Sequence, residues 1–92
     1  MKVLFYNPLI CIRGTSVAIY DYAHYNETIL GNISDVIVSS KADHNRDILR
    51  KYQRRFRVHM YDTEDELYNI AKNYDVMYVI KYGHKDGVVK AP

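Results

Sequence analysis

The segment with the clearest chemical potential is Arg13-Gly14-Thr15-Ser16, which follows a hydrophobic stretch and precedes a helical pattern. Free backbone N–H groups at the start of a helix bind anions, and a glycine lets the backbone approach a ligand closely. Arg13 adds positive charge. This spacing predicts a phosphate or carboxylate site at the start of the first helix. A tight turn at Gly14 and a helix cap at Thr15 explain the same residues without a ligand.

A second polar segment, Lys81 to Gly87, follows the last predicted parallel strand. In open α/β sheets, ligands bind outside the carboxyl ends of the strands, and both segments belong to that edge. Arg13 and Lys81 would balance phosphate charge there, whereas no residue can be assigned to catalysis. The predicted substrate-binding residues are Arg13, Gly14, Thr15, Ser16, Lys81, Gly83, His84 and Asp86.

The common nucleotide-binding fingerprints do not match this chain. A dinucleotide-binding turn needs G-x-G-x-x-G directly after the first strand, and a phosphate-binding loop needs Gly-Lys-Ser/Thr. The first turn carries the single Gly14, and no Gly-Lys-Ser/Thr occurs. A phosphorylated receiver domain needs acidic residues after its first strand, where this chain has Asn7. NAD binding, P-loop chemistry and receiver function are therefore disfavoured.

Metal and nucleic-acid functions are also disfavoured. The histidines and Cys11 lack the spacing of metal ligands, so we predict no metal and no cofactor. A basic run from 46 to 57 falls at the end of a predicted helix, where cations interact favourably with the helix dipole. The net charge is only +2, from 13 basic and 11 acidic residues. We therefore expect no nucleic-acid partner.

Hydrophobic strands alternate with amphipathic helices along the chain. Strands are predicted at 2–7, 35–40, 57–61 and 75–80, and helices from 15 or 16 to about 30, from 43 to about 55, and after Thr63. Such alternation predicts an α/β fold, a Rossmann-like βαβαβαβ three-layer sandwich. Its sheet is mainly parallel and four-stranded, or five-stranded if Val88 and Val89 add a short strand.

Residue types also predict the ends and faces of the helices. Thr15 or Ser16 can cap the first helix and Asp43 the second, while Thr63 with Glu66 matches a capping box for the third. Gly31 suits the position beyond the end of the first helix. The buried face of that helix is predicted to contain Ala18, Ile19, Tyr22, Ala23, Asn26, Ile29 and Leu30.

Length and composition predict one globular domain in a reducing compartment. The 92 residues are 48% hydrophobic and 26% charged, which is typical of one folded core. The lone Cys11 cannot form an intramolecular disulfide, and the apolar run near the amino terminus is too short for a signal peptide or membrane span. We therefore predict a cytoplasmic protein. Because doubly wound sheets usually continue beyond four strands, 1–92 is expected to be a single, incomplete domain.

The stretch RGTSVAIYDYAHYNE, from Arg13 to Glu27, together with Ile80-Lys81-Tyr82-Gly83 and Asp86-Gly87, resembles the amino-terminal half of GT-B type glycosyltransferases of the glycogen-synthase-like group. This resemblance implies an acceptor-side domain that faces a second, nucleotide-sugar-binding domain across a cleft. The turn at Gly14 and Thr15 would then approach the sugar or diphosphate. The implied function is sugar transfer from a nucleotide-sugar to an acceptor, with the 92-residue chain inactive alone.

A stand-alone α/β module is the alternative function. It would use the same carboxyl-end rim of the sheet for an anionic ligand, or the uncovered edge of the sheet for a protein partner. An uncovered sheet edge also invites pairing with other chains, so self-association is expected through such an edge.

Overall fold

The computed structural model describes residues 1–7, 14–79 and 87–90 of the chain, with the backbone alone at 14–15 and 87–90. The elements in order are β1 (Lys2–Tyr6), α1 (Gly14–Thr28), β2 (Ile33–Ser39), α2 (Arg46–Arg55), β3 (Arg57–Tyr61), α3 (Glu64–Ala71), β4 (Val76–Val79) and β5 (Gly87–Lys90). None of the helices in this part of the chain combines the length and hydrophobicity needed to cross a membrane.

The strands form one sheet in the order β3-β2-β1-β4-β5. The first four are mutually parallel, and β5 runs antiparallel to β4. Phe5 of β1 lies opposite Val36 of β2 and Tyr78 of β4, so β1 occupies the centre. The predicted α/β fold with a mainly parallel sheet is therefore confirmed, and the short fifth strand extends slightly beyond the predicted Val88 and Val89.

Two helices cover one face of the sheet and the third covers the other. The first core cluster joins β1 and β2 to α1 and α2 and contains Val3, Phe5, Ile19, Ala23, Val36, Val38, Tyr52 and Phe56. The second lies on the α3 face and contains Leu4, Ile37, Ala71 and Tyr74. Because neighbouring strand residues point to opposite faces, Leu4 and Phe5 enter different clusters. The result is a three-layer sandwich.

The helix caps agree with the sequence at one position and differ at another. Thr63 Oγ1 accepts a hydrogen bond of 3.2 Å from the Glu66 backbone N–H, which confirms the predicted cap of α3. The cap of α2 is Asn45 and not Asp43: Asn45 has an extended backbone, and its Oδ1 accepts a 3.1 Å hydrogen bond from the N–H of Ile48. Asp43 lies two residues too early to reach the first turn. Gly31 adopts φ +71°, as expected beyond the end of α1.

The buried face of α1 is narrower than predicted. Ile19 and Ala23 are buried, whereas Tyr22, Ile29 and Leu30 are 42%, 72% and 69% exposed. Ile29 and Leu30 lie beyond the helix, because α1 ends at Thr28 and not at about Leu30 as predicted. Within the helix, the buried Asn26 donates from Nδ2 to Ser34 Oγ of β2 at 2.8 Å. This bond fixes the rotation of the helix about its axis, because the amide must face β2 to be satisfied. The predicted burial of Tyr22, Ile29 and Leu30 is therefore wrong.

Candidate functional site

The order of the strands reverses at β1. The connection after β1 leads to β2 on one side, whereas the connection after β3 returns across the sheet to β4 on the other side of β1. Open α/β sheets bind ligands outside the carboxyl ends of the strands at such a point. We call this region the switch-point edge, defined by Asn7, Val79 and the first turn of α1 (14–17).

Asn7 follows β1 directly and is 1% exposed. Its backbone N–H donates to the carbonyl oxygen of Ile37 at 3.0 Å, and its Nδ2 donates to Ser16 Oγ in a long hydrogen bond of 3.3 Å. The side-chain oxygen Oδ1 is buried and has no hydrogen-bond donor among the described residues. A buried acceptor without a donor costs about 1–3 kcal/mol of stability. A ligand that donates a hydrogen bond to this oxygen would satisfy it, and the bond to Ser16 places Asn7 against the first turn of α1.

The first turn of α1 is held firmly. Ser16 is fully buried, and its backbone carbonyl accepts a hydrogen bond from the hydroxyl of Tyr52, a fully buried residue of α2. Because α1 begins at Gly14, Thr15 and Ser16 lie inside the helix and do not cap it, so the predicted cap is wrong. The Ser16 hydroxyl accepts from Asn7 instead. The bonds to Ser16 fix the helix start relative to β1.

The electrostatics of this helix start also suit an anion. The first turn of α1 carries no acidic side chain, whereas the first turn of α3 contains Glu64, Asp65 and Glu66. Acidic side chains there neutralise the positive end of the helix dipole. The positive end of α1 is left without such a neutralising carboxylate in its own turn, so it can attract an anionic ligand group.

The structure brings part of the predicted site together. Gly14, Thr15 and Ser16 share the first turn of α1 at the switch-point edge. The other predicted site residues, Arg13, Lys81, Gly83, His84 and Asp86, lie outside the described residues. Sequence reasoning did not assign Asn7 to the site. The available signal was an amide side chain placed directly after a buried strand.

The same edge of the sheet carries further polar groups at the ends of β2 and β3. Ser40 Oγ donates to Asp62, and the His44 ring Nε2 lies 2.6 Å from the carbonyl oxygen of Ser39. The hydroxyls of Tyr6 and Tyr61 are 2.8 Å apart. Burial, followed by the contact with Tyr61, raises the pKa of Tyr6 above its ordinary value, so this phenol is neutral at physiological pH.

An apolar groove lies elsewhere. It holds about 540 Å³ on the α1 face of the sheet, and its apolar walls include Val3, Phe5, Tyr22, Ile29 and Tyr78. Its described lining residues are mostly apolar or aromatic, and none of them has a charged side chain. A specific ligand site needs polar groups that fix the orientation of the ligand. We therefore assign the candidate site to the switch-point edge and not to this groove.

A second cleft, of about 410 Å³, lies at the amino ends of the strands and is polar. Arg55 pairs with Glu27 at 2.5 Å there, which ties α2 to α1. Tyr74 donates a hydrogen bond to the buried carboxylate of Asp35, and His59 Nε2 lies 3.0 Å from the Tyr74 hydroxyl. These groups satisfy one another, which indicates a role in holding elements together.

The described residues contain no group of His, Cys, Asp and Glu side chains that could hold a metal ion. Comparison with known proteins found no matching family model, no matching curated protein and no matching solved structure.

Proposed function

We propose that the chain is the acceptor-side α/β domain of a GT-B type glycosyltransferase and that it binds a nucleotide-sugar at the switch-point edge. The observation that carries this proposal is the buried Oδ1 of Asn7, which has no donor among the described residues and lies beside the first turn of α1. The resemblance of the segment from Arg13 to Glu27 to that group supports it independently.

The start of α1 and the side chain of Asn7 favour two different chemical groups on one ligand. The amide N–H groups at the start of α1 favour a negative charge. Asn7 Oδ1 is an acceptor, so it favours a ligand O–H or N–H. A nucleotide-sugar carries both, because its diphosphate is anionic and its sugar is rich in hydroxyls. Sulfate supplies the charge without the donor.

In sugar transfer, negative charge develops on the departing diphosphate. Preorganised N–H donors at the start of α1 would stabilise that charge, an effect worth about 3–4 kcal/mol for a well-placed donor. Gly14 allows the backbone to come close, and Arg13 and Lys81 would add positive charge. The rest of the nucleotide would be held by a second α/β domain across the cleft.

A titration followed by amide NMR tests this proposal. The full chain is titrated with UDP-glucose and GDP-mannose, and with uridine as a control that lacks phosphate. We expect the amide signals of 14–17 to shift with the nucleotide-sugars and to stay in place with uridine. Asn7→Leu should weaken the binding about threefold to tenfold, the effect of one lost hydrogen bond. Unchanged signals at 14–17 with both nucleotide-sugars would overturn the proposal.

The second candidate function is an anion-binding module without sugar transfer. The same helix start favours it, because the dipole attracts any compact anion. The two candidates differ in the part played by Asn7. If sulfate binds as tightly as UDP-glucose and Asn7→Leu changes neither affinity, the anion-binding module is the better account.

A further inference from the structure

Two tyrosines meet across the α3 face of the sheet at its carboxyl edge. Tyr6 ends β1 and Tyr61 ends β3, and their hydroxyl oxygens are 2.8 Å apart. The ring centroids are 6.0 Å apart, with the rings tilted by 43°. Both residues are half-buried and pack against the core cluster that contains Leu4 and Ile37. The rings are thus anchored, and the two hydroxyls form the polar end of the pair.

The pair has hydrogen-bonding capacity left over. Two phenols carry two O–H groups, and their mutual hydrogen bond uses only one of them. Neither hydroxyl has another hydrogen-bond partner among the described residues. One O–H donor and several lone pairs are therefore available. Burial raises the pKa of Tyr6 above its ordinary value, so Tyr6 keeps its proton at physiological pH, as an ordinary phenol does.

The surroundings favour a neutral, hydroxyl-bearing ligand. Tyr6 immediately precedes Asn7, so this member of the pair lies on the strand that leads to the switch-point edge. Asp62 follows Tyr61 and already accepts a hydrogen bond from Ser40. Glu64, in the first turn of α3, acts on Tyr6 as a nearby negative charge. A second anionic group would be repelled here, whereas a sugar hydroxyl can both accept and donate.

We propose that the Tyr6–Tyr61 hydroxyl pair is a subsite that binds a hydroxyl group of the sugar acceptor. This inference rests on the proposed function and assigns a binding position to the acceptor. The pair supplies one donor and open acceptor positions to a ligand hydroxyl, and the fixed rings hold the two oxygens in register. The diphosphate of the donor belongs at the start of α1, which leaves the α3 side of the edge to the neutral acceptor.

Binding of simple glycosides tests the subsite. The full chain is titrated with methyl α-glucopyranoside, methyl α-mannopyranoside and methyl α-galactopyranoside, while the amide signals of Tyr6, Tyr61 and Asp62 are followed by NMR. We expect at least one glycoside to shift these signals. Tyr6→Phe and Tyr61→Phe keep the rings and remove one hydroxyl each, so each should weaken that binding about threefold to tenfold. Tyr68→Phe, at an exposed position of α3, is the matched control and should leave the affinity unchanged.

Two results would overturn the subsite. One is the absence of shifts at these amides with all three glycosides; the other is equal affinity in the wild-type chain and in both Phe variants whose spectra show an intact fold. UDP-glucose titrated in parallel separates the two proposals. Shifts at 14–17 with UDP-glucose but none at the tyrosines with glycosides would reject the subsite alone. The opposite pattern would reject nucleotide-sugar binding and keep a glycoside site.

Discussion

Asn7 places a buried amide oxygen against the first turn of α1 without a donor among the described residues. Its other amide atom makes one long hydrogen bond, of 3.3 Å, to Ser16. A residue selected for folding alone would be expected to satisfy both ends of its amide. The oxygen that the proposed ligand needs is therefore one that lowers the stability of the free chain.

Asn7→Leu tests the effect of this oxygen on stability, because leucine has nearly the same shape as asparagine and no polar side-chain atoms. The free energy of unfolding should stay within about 1 kcal/mol of the wild-type value, since the gain from removing an oxygen that has no donor among the described residues offsets the loss of the long bond to Ser16. Urea unfolding measures this change, and Asn7→Ala shows the cost of simply emptying the position. A loss of more than about 2 kcal/mol in Asn7→Leu would mean that Asn7 serves the fold.

Tyr74 predicts a dependence of stability on alkaline pH. Burial, followed by the hydrogen bond to Asp35, raises the pKa of Tyr74 above its ordinary value near 10. Above about pH 10 the unfolded chain releases this proton while the folded chain retains it, so the free energy of unfolding falls as pH rises. The contribution is fully present below about pH 10.

Tyr74→Phe should reduce the slope of this alkaline loss, because phenylalanine has no proton to release. Urea unfolding on both sides of about pH 10 gives the slope, with Tyr68→Phe as the control at an exposed position. At neutral pH the same variant should lose about 1.5–3 kcal/mol, since the buried Asp35 carboxylate loses a donor. Parallel slopes for the wild-type and Tyr74→Phe chains would be inconsistent with this account.

At the scale of elements, the start of α2 depends on Asn45. Its Oδ1 satisfies the backbone N–H of Ile48, whereas Asp43 lies outside the first turn. Asn45→Ala should therefore lower the free energy of unfolding by about 1 kcal/mol. Asp43→Ala should change it by less than about 0.5 kcal/mol. Chemical unfolding of the two variants decides between the caps, and a larger loss in Asp43→Ala would contradict the observed helix start.

The order and type of the elements were predictable because they follow from hydrophobic patterns within each segment. The bounds of β3 and the Thr63 cap of α3 were predicted from local residue types. The choice of Asn45 over Asp43 was not, because both residues are good caps and only the three-dimensional path selects one. The rotation of α1 likewise depends on the bond from Asn26 to Ser34, which joins two separate elements.

The candidate site was predictable to a similar degree. The glycine-containing turn and the helix pattern identified Gly14 and Ser16, because anion-binding helix starts have a local signature. No local sequence pattern predicts that Asn7 Oδ1 is buried without a donor among the described residues. It arises from the packing of β1 against α1 and β2, so only the assembled fold reveals it.

At the scale of the whole molecule, the hydrophobic core contacts only part of the surface of α1. Ile19 of α1 is 1% exposed, whereas Ile29, directly after the end of α1, is 72% exposed. Ile19→Ala should lower the free energy of unfolding by about 2–4 kcal/mol, because it leaves a cavity between α1 and the sheet. Ile29→Ala is the matched control and should cost less than about 0.5 kcal/mol. Equal losses would mean that the apolar groove beside Ile29 is filled in solution.

The predicted self-association also belongs to this scale. Strands β3 and β5 are the two edges of the sheet. Such edges invite pairing with other chains, and β3 carries Arg57 and the half-buried His59, which disfavour close pairing when charged. Sedimentation at increasing protein concentration measures association, and Val58→Pro at the β3 edge should reduce it if this edge is responsible.

The central claim is that a ligand carrying both an anion and a hydrogen-bond donor binds between Asn7 and the start of α1. A crystal structure of the full chain grown with a nucleotide-sugar tests it most directly. We expect the diphosphate within hydrogen-bonding distance of the backbone N–H groups of 14–17, and a ligand O–H or N–H on Asn7 Oδ1. A nucleotide-sugar bound away from this edge, with Asn7 Oδ1 paired to the chain itself, would contradict the account.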